Sequence, residues 1–588
     1  MTRHRADETS AGVLPHVLRE YAVLADGERG ALIGPRGDIC WLCLPRWHDD
    51  PAFSDLLGGP GRYTLTPSGR YVWGGHYEPG SLVWRSRWVT DDQGVIESRE
   101  ALARPADPRT AVLLRRVQAP TGTARVQVAL DVRAGAGASR MTDLHRRDGV
   151  WTARSGPLWV RWTGAPDARP DADGVLRTEV VVGEGAVVDL VLEMGLDEPG
   201  SLPDADRLWS ATAAAWREEV PDLSATVAPR DAGHAYAVLR GLTSSTGGMV
   251  AAATMGLPER ARRHRSYDYR YVWLRDQAYA GIAASVHGAL PALHDAVRFA
   301  TARLLEDGDA LRPAYRVDGG PVPDEHLLDL PGYPGGEPRA GNWVNQQFQL
   351  DSVGELLQLL AAAARLDCLD AEGWRAAQVA VGIVEQRWGA PEAGIWELGD
   401  DWWTQSRLAV VAGLRQLAQV APSAGDAGRA ETLADGILAE TGRRCLAPEG
   451  WWRRSSSVTG VDASLLLPPV RGALPVTDPR SRATLAAVRD QLTEDGYVYR
   501  FRPEGSPLGE QEGAFLLCGF VLALAEHADG NATEALRWFE RTRAACGTPG
   551  LLAEEFDVEQ RQLRGNLPQA FVHALLLECA GTLARPPG

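Results

Sequence analysis

Four segments of this chain combine aromatic rings, arginines and carboxylates at spacings that suit the chemistry of a sugar ring. In "RSYDYRYVWLRDQAYA" (265–280), Trp273, Arg275 and Asp276 place a flat apolar face, a rigid fork of donors and a carboxylate acceptor within four residues. Together these can hold the hydroxyls of one ring. In "PEAGIWELGDDWWTQSR" (391–407), Glu397 directly follows Trp396. An apolar wall beside a carboxyl keeps a proton on it for donation, and Asp400 and Asp401 would act in the same direction if close in space. "YRFRPEGSPLGEQEGAF" (499–515) contributes Arg500 and Arg502, which can ligate substrate hydroxyls or pair with the surrounding carboxylates. "LLAEEFDVEQRQLRGNLPQAFVH" (551–573) carries Glu554 and Glu555, with Asn566 and Gln569 just before an apolar helix. A carboxylate near polar amides can hold and deprotonate a water. An acid at Glu397 and a base at Glu554 or Glu555, contributed by distant loops, form the minimum machinery for hydrolysing a glycosidic bond.

The elements that must position these groups change character along the chain. From about Tyr21 to Met194, short apolar or alternating runs such as "TAVLLRRVQA", "ARVQVALDVRA" and "AVVDLVLEM" lie between Gly, Pro and Asp breaks. That pattern predicts a large antiparallel sandwich. "LPDADRLWSATAAAWREEV" then reads as a helix, and the Pro- and Gly-containing "PDLSATVAPRDAG" marks a boundary. From His234 onward, eleven or twelve amphipathic segments alternate with uneven loops rich in Gly, Pro, Asp and Trp. A dozen helices in such a stretch can close as a toroid of paired helices, whose loops at one end would build a pocket. The expected domains are 1–201 (β-sandwich), 202–232 (helical linker) and 233–588 (helical barrel).

Composition removes several kinds of chemistry. No lysine occurs, so all 61 basic residues are arginine and Schiff-base or phosphate-loop lysines are excluded. A net charge of -16 disfavours nucleic acid or an anionic membrane as partner. Twenty tryptophans against nine phenylalanines supply flat faces of the kind sugars stack on. Seven scattered cysteines fit a reducing compartment. Cys40 and Cys43 stand three apart on an expected strand, hence on opposite faces, which argues against a redox dithiol or half a zinc site. The N-terminal "MTRHRADETSAGVLPHVLRE" lacks the apolar stretch of a signal peptide and no run approaches a membrane span, so a cytoplasmic location is expected.

Six collinear segments resemble glycoside hydrolase family 15, the bacterial glucoamylase-type enzymes that include trehalases. "ALIGPRGDICWLCLPRWHDDPAFSDLLGG" is similar to the family's opening segment, "YDYRYVWLRDQAY" to its Arg-Asp loop and "QFQLDSVGELL" to its Gln-Leu-Asp helix. "GIWE" resembles the general-acid loop, "EGAFLLCGF" the helix beneath the pocket, and "LAEEFD" with "GNLPQAFVHALLL" the general-base loop and closing helix. The resemblance implies an N-terminal antiparallel β-sandwich, a helical linker and a C-terminal (α/α)6 barrel. It makes Glu397 the general acid and Glu554 the general base, and assigns Trp273, Arg275 and Asp276 to the terminal glucose. Trp396, Trp402, Arg407, Arg502, Asn566 and Gln569 join them as expected substrate-binding residues. The implied reaction is inverting hydrolysis of a terminal α-linked glucose, with carboxyls ~6.5–9.5 Å apart to admit the water. It requires no metal and no cofactor.

After the acid, the family's His-x-Thr-x-Ser-Lys run is replaced by "WWTQSRL". Arg407 keeps the charge as a planar fork, and Trp402 and Trp403 would narrow the site around the leaving sugar. The expected substrate is therefore a small α-glucoside, a malto- or isomalto-oligosaccharide or disaccharide cleaved from its non-reducing end. Trehalase activity on α,α-trehalose is the alternative. An inverting phosphorylase would lack the base that Glu554 supplies, and a non-catalytic sugar-binding protein need not keep both carboxylates. Trp41, Arg46 and Trp47 are expected either to reach over the barrel mouth or to pack at the domain interface.

Overall fold

The computed structural model describes residues 14–260, 265–503 and 506–587. The first thirteen residues, part of the segment read above for a leader, lie outside that description. Alternating burial builds the N-terminal region into two facing antiparallel sheets; in Ala124–Asp131, for example, every second side chain is buried. One sheet runs, in spatial order, Ala22–Ala25, Gly30–Ile33, Asp38–Cys43, Arg62–Pro67, Ala124–Asp131, Leu176–Val182 and Arg169–Pro170, with Pro51–Phe53 paired to Asp38–Cys43. The other runs Met141–Arg147, Val150–Ser155, Leu158–Thr163, Val187–Gly195, Thr110–Thr121, Val95–Leu102, Trp84–Thr90 and Tyr71–Tyr77. Helix α1 (Ala205–Glu219) lies back against this second sheet, its Trp209 covered by Arg99 at 4.3 Å.

Twelve further helices follow among the described residues. They are α2 (Pro229–Leu242), α3 (Leu274–Val286), α4 (Leu290–Asp307), α5 (Leu350–Arg365), α6 (Ala371–Arg387), α7 (Thr404–Ala418), α8 (Ala424–Cys445), the single turn α9 (Leu467–Val470), α10 (Pro479–Gln491), α11 (Leu516–Ala528), α12 (Ala532–Arg543) and α13 (Ala570–Thr582). The first of these, α2, begins inside the stretch expected to be linker. Helices α3, α5, α7, α9, α11 and α13 pack in sequence, and α13 returns to α3, closing an inner ring. The others alternate with them on the outside, giving the (α/α)6 barrel. The division follows hydrophobicity: α11 is buried from Leu516 through His527, whereas α12 buries only Ala535, Phe539 and Thr542 on one stripe. The fourth inner helix shrinks to a 3-10 turn and one α-turn between Asp462 and Gly472, whose φ of +87° ends it. Arg471 reaches from there to Glu578 on α13 at 2.6 Å, tying the short wall to the closing helix.

The first three strands, like the short Pro51–Phe53 paired to the third, are buried at every position, unlike the alternating strands that follow. One face packs into the sandwich core; the other packs on the barrel. Trp41 and Trp47 are interface residues, donating to the carbonyls of Ala253 (2.9 Å) and Gly27 (2.7 Å) and fully buried. A register shift between Leu32 and Ile33 pairs Ile33 with Ile39 but Leu32 with Trp41. This bulge corrects the simple alternation expected for the two cysteines. Cys40 and Cys43 both join the barrel-side cluster, as separate free thiols.

The ring closes where Tyr77 of the sandwich meets His234 of α2 (ring centroids 4.7 Å) and His234 meets His573 of α13 (6.3 Å). Burial pushes His234 down to about 4 and His573 down to about 3. Both values lie below the ~6.5 of an unfolded histidine, so the unfolded chain takes up protons first as pH falls. The stability these rings contribute as neutral groups is complete above pH ~6.5 and is lost toward pH ~4. In denaturation measured across that range, His573→Gln is expected to lose less stability than the wild type, by on the order of 3 kcal/mol. Parallel pH profiles for the two proteins would refute this.

Candidate active site

All six inner helices run the same way, and their N-terminal ends share one mouth. The connections from inner to outer helices are short (287–289 after α3, 366–370 after α5, 529–531 after α11), so the long segments all lead into inner helices. Thus 265–273 enters α3, 388–403 enters α7, 492–515 enters α11 and 544–569 enters α13. The four chemistry-bearing segments therefore converge. At the entry to α5 the Leu350 N–H donates to the Glu392 carboxylate at 3.1 Å.

On one side stands Glu397. Trp273, the residue before α3, donates its indole N–H to Glu397 Oε1 at 2.6 Å, and Arg275 Nη2 lies 3.3 Å from the same oxygen. Arg275 also donates to Gln349 (2.9 Å) and Asp351 (3.2 Å), both entering α5, and lies 3.9 Å from Asp276. Burial pushes Asp276 up to about 7, against the pull of Arg275 and with the push of Glu397. The acid loop doubles back, with Glu392 and Asp401 exchanging backbone hydrogen bonds of 3.0 Å. Glu397 itself sits at φ +54°, in the left-handed region that non-glycine residues seldom adopt.

On the other side stands Glu554. Tyr269 lies 3.2 and 3.3 Å from its two oxygens and 3.3 Å from Glu259. Tyr269 also meets Trp273 edge to face, with centroids 5.5 Å apart, so one aromatic pair bridges the two candidate carboxyls. Burial, followed by the charges of Glu554, Glu259 and Glu397, pushes the Tyr269 hydroxyl far above its ordinary value. Burial, then Glu259 and Glu555, raises Glu554 in the same way. The choice between the two adjacent glutamates follows from strand geometry. Glu555 lies in the strand Glu555–Asp557 and turns away to accept from Gly513 N at 2.7 Å, leaving Glu554 toward Tyr269.

Other expected residues take different positions. Trp396 is not the wall beside the acid: its indole donates to Asp462 at 2.9 Å and it packs edge-on against Phe515. Arg407 is fully buried and reaches no pocket. It pairs with Glu392 at 2.7 Å and donates to the Trp388 carbonyl, because a buried carboxylate inside the acid loop needs a charge partner. Trp402 lies between Arg407 (4.5 Å) and Arg444 (5.2 Å), stacked behind the loop instead of narrowing it. Arg502 is exposed and donates to the Gln491 carbonyl, while Arg500 is the buried member of that segment, paired with Glu512 at 2.5 Å. Asn566 spans Tyr267 O (2.8 Å) and Thr254 Oγ1 (2.9 Å), bracing the base loop. Gln569 caps the approach to α13, and its Oε1 is unpaired among the described residues. Asp401 binds the hydroxyl of Ser455 at 2.5 Å, pinning the end of the acid loop.

Five groups escaped the sequence reading: Tyr269, Gln349, Asp351, Glu259 and Glu392. Tyr269, Gln349 and Asp351 sit inside segments already singled out, so proximity in the chain was a usable signal. Glu392 likewise lies within the 391–407 segment, fifteen residues before its partner Arg407, whereas Glu259 had no such signal, because Glu554 is far away in sequence. No group of three or more metal-ligating side chains gathers among the described residues.

Residues 235–581 match glycosyl hydrolases family 15, and residues 11–200 match a trehalase-like N-terminal family. The chain is 30% identical to a trehalase of Mycolicibacterium smegmatis over 95% of its own length and 90% of that protein's. It is 31% identical to trehalase 1 of Sulfolobus acidocaldarius, over 58% of this chain and 61% of the relative. A crystal structure of bacterial glucoamylase complexed with acarbose aligns with a TM-score of 0.70 at 13% identity, covering 100% of this chain and 98% of that one, a likeness of fold alone.

The buried Arg407–Glu392 pair yields a direct test. Replacing Arg407 with Leu leaves the Glu392 charge unpaired and should cost about 3–5 kcal/mol in stability. Because the pair holds the loop that carries Glu397, kcat should fall more than KM rises. Thermal unfolding and steady-state kinetics of the variant would check both, and an unchanged melting temperature would contradict the anchoring role.

Proposed function

We propose that this chain, which belongs to glycosyl hydrolases family 15, hydrolyses α,α-trehalose with inversion at the attacked anomeric carbon. The chain is an O-glycoside hydrolase, and its sugar substrate is an α-glucoside. The expectation that malto- or isomalto-oligosaccharides come first gives way to trehalose. The observation that carries this choice is the similarity, over nearly the whole length of both chains, to a protein named trehalase. The similarity spans the sandwich as well as the barrel, and a match to the trehalase-like N-terminal family adds to it.

In the proposed mechanism, Glu397 donates its proton to the glycosidic oxygen as the bond from that oxygen to the attacked carbon breaks. Glu554 takes a proton from a water that bonds to the same carbon from the opposite face. Arg275 and Trp273 orient the Glu397 carboxyl, and Asp276 and Arg275 bind hydroxyls of the attacked ring. Tyr269 holds Glu554 in place. The bridge from Glu397 through Trp273 and Tyr269 to Glu554 supports the pairing of these two carboxyls across one ring. No helix of the described residues is long and apolar enough to cross a membrane, and all seven cysteines are free. The free thiols support a cytoplasmic site of action.

The test is proton NMR of the anomeric signals during the first minutes of reaction with trehalose, kojibiose, maltose and isomaltose. Inverting hydrolysis of trehalose gives one β-glucose for each α-glucose, because only the attacked ring inverts. Appearance of α-glucose alone would contradict the roles of Glu397 and Glu554, and faster cleavage of another disaccharide would replace trehalose as the substrate. Glu397→Gln and Glu554→Gln should each lower kcat by roughly 10²–10⁴-fold.

A further inference from the structure

The base side of the pocket holds one carboxyl more than inverting hydrolysis uses. Glu259, in the loop before α3, is buried at 4% exposure beside Glu554 at 6%. Its Oε1 lies 3.3 Å from the Tyr269 hydroxyl, which also stands 3.3 and 3.2 Å from the two oxygens of Glu554, so one hydroxyl touches both carboxyls. Gly565 shows how tightly they share this space. With φ +83°, its absent Cβ would fall 3.4 Å from Glu554 Cβ, 3.7 Å from Glu554 Oε2 and 3.8 Å from Glu259 Cγ. Arg265 Nη2 approaches Glu259 at 3.1 Å from the far side.

Two carboxylates gathered on one hydroxyl and out of water cannot both ionise easily, so such a pair holds one proton between them and titrates as a unit. We propose that Glu259 is a positioning residue for the base: it shares one proton with Glu554 across the Tyr269 hydroxyl, and thereby sets the pH above which Glu554 can accept a proton from water. This inference rests on Glu554 being the base. Arg265 stands 3.1 Å from Glu259, while burial and the charges of Glu259 and Glu555 raise Glu554, so the shared proton rests on Glu554 before substrate binds. Loss of that proton on raising the pH converts Glu554 to the acceptor. Among the described residues, the charged and titratable groups facing the pair are Arg265, Tyr267 and Tyr269 from the loop before α3, Arg500 and Glu512 from the loop before α11, Glu555 from its own strand, and Glu397 across Tyr269. Arg500 lowers Glu554 while Glu555 raises it, and neither touches Glu259 through a shared hydroxyl as Glu554 does.

The experiment is kcat/KM against pH, from about pH 3.5 to 8, for the full chain and for Glu259→Gln, Arg265→Gln and Glu554→Gln, on the α-glucoside cleaved fastest. With Glu259 neutralised, the acidic limb should move down by about one pH unit or more. With Arg265 neutralised, it should move up. A Glu259 that only braced the loop would lower the rate and leave the limb where it is, so an unmoved limb in active Glu259→Gln overturns the proposal. Should that variant fail to fold, Arg265, partly exposed at the rim of the cluster, decides alone: an unmoved limb in Arg265→Gln overturns it equally. Glu554→Gln separates the two readings. Near-normal activity there rejects Glu554 as the base, whereas loss of activity together with an unmoved limb in Glu259→Gln rejects only the shared proton.

Discussion

A single guanidinium, buried at the start of α3, has to satisfy acceptors that arrive on three different inner helices. Arg275 meets Gln349 and Asp351 from the entry to α5, Asp276 from its own helix, and Glu397 from the loop before α7. A charge this deep is tolerable only when its neighbours supply compensating charge and hydrogen bonds. Conversely, the carboxylates around it are tolerable only because it is there. The planar fork also fixes directions, which a mobile ammonium would not. In a chain without lysine, this way of placing carboxylates recurs wherever a loop approaches the mouth.

The recurrence explains how irregular loops hold a defined geometry. Arg407 with Glu392 closes the acid loop from below, Arg500 with Glu512 braces the segment leading to α11, and Arg270 with Asp268 fixes the stretch that carries Tyr269. Each pair is buried, so breaking one member costs far more than an exposed ion pair would. The toroid makes these loops long on one end only. Inner helices hand over to outer ones through tight turns, so the variable sequence, the aromatics and the charges accumulate at the opposite end.

The sandwich takes part in this arrangement. Its opening strands face the barrel with one side, and Arg270 extends from the Tyr269 segment to accept anchorage there, donating to the carbonyls of Asp49 (2.8 Å) and Trp47 (3.3 Å). Tyr269 in turn touches Glu554 and Trp273. The base side of the site is therefore held, through two residues, by a domain that contributes no candidate catalytic carboxyl.

What the sequence determined by itself was periodicity and inventory. A period of two up to Met194 and a helical period from His234 are local properties, and they specify a sandwich followed by a run of helices, whose closure into a ring came only with the family resemblance. The segments holding Trp273, Arg275, Glu397 and Glu554 stood out because aromatic and charged residues there break the surrounding apolar pattern. Which way each side chain points was settled only by tertiary structure. Arg407 and Trp402 have the composition of a pocket and lie behind it, because the buried Glu392 takes the guanidinium and the indole fills the gap beside it. Cys40 and Cys43 share a face because one bulge shifts the register. Glu259 carries no local mark at all; it comes to share the Tyr269 hydroxyl with Glu554, nearly three hundred positions away, only when the ring closes. Distances between far segments are set by packing, and packing is a property of the whole chain.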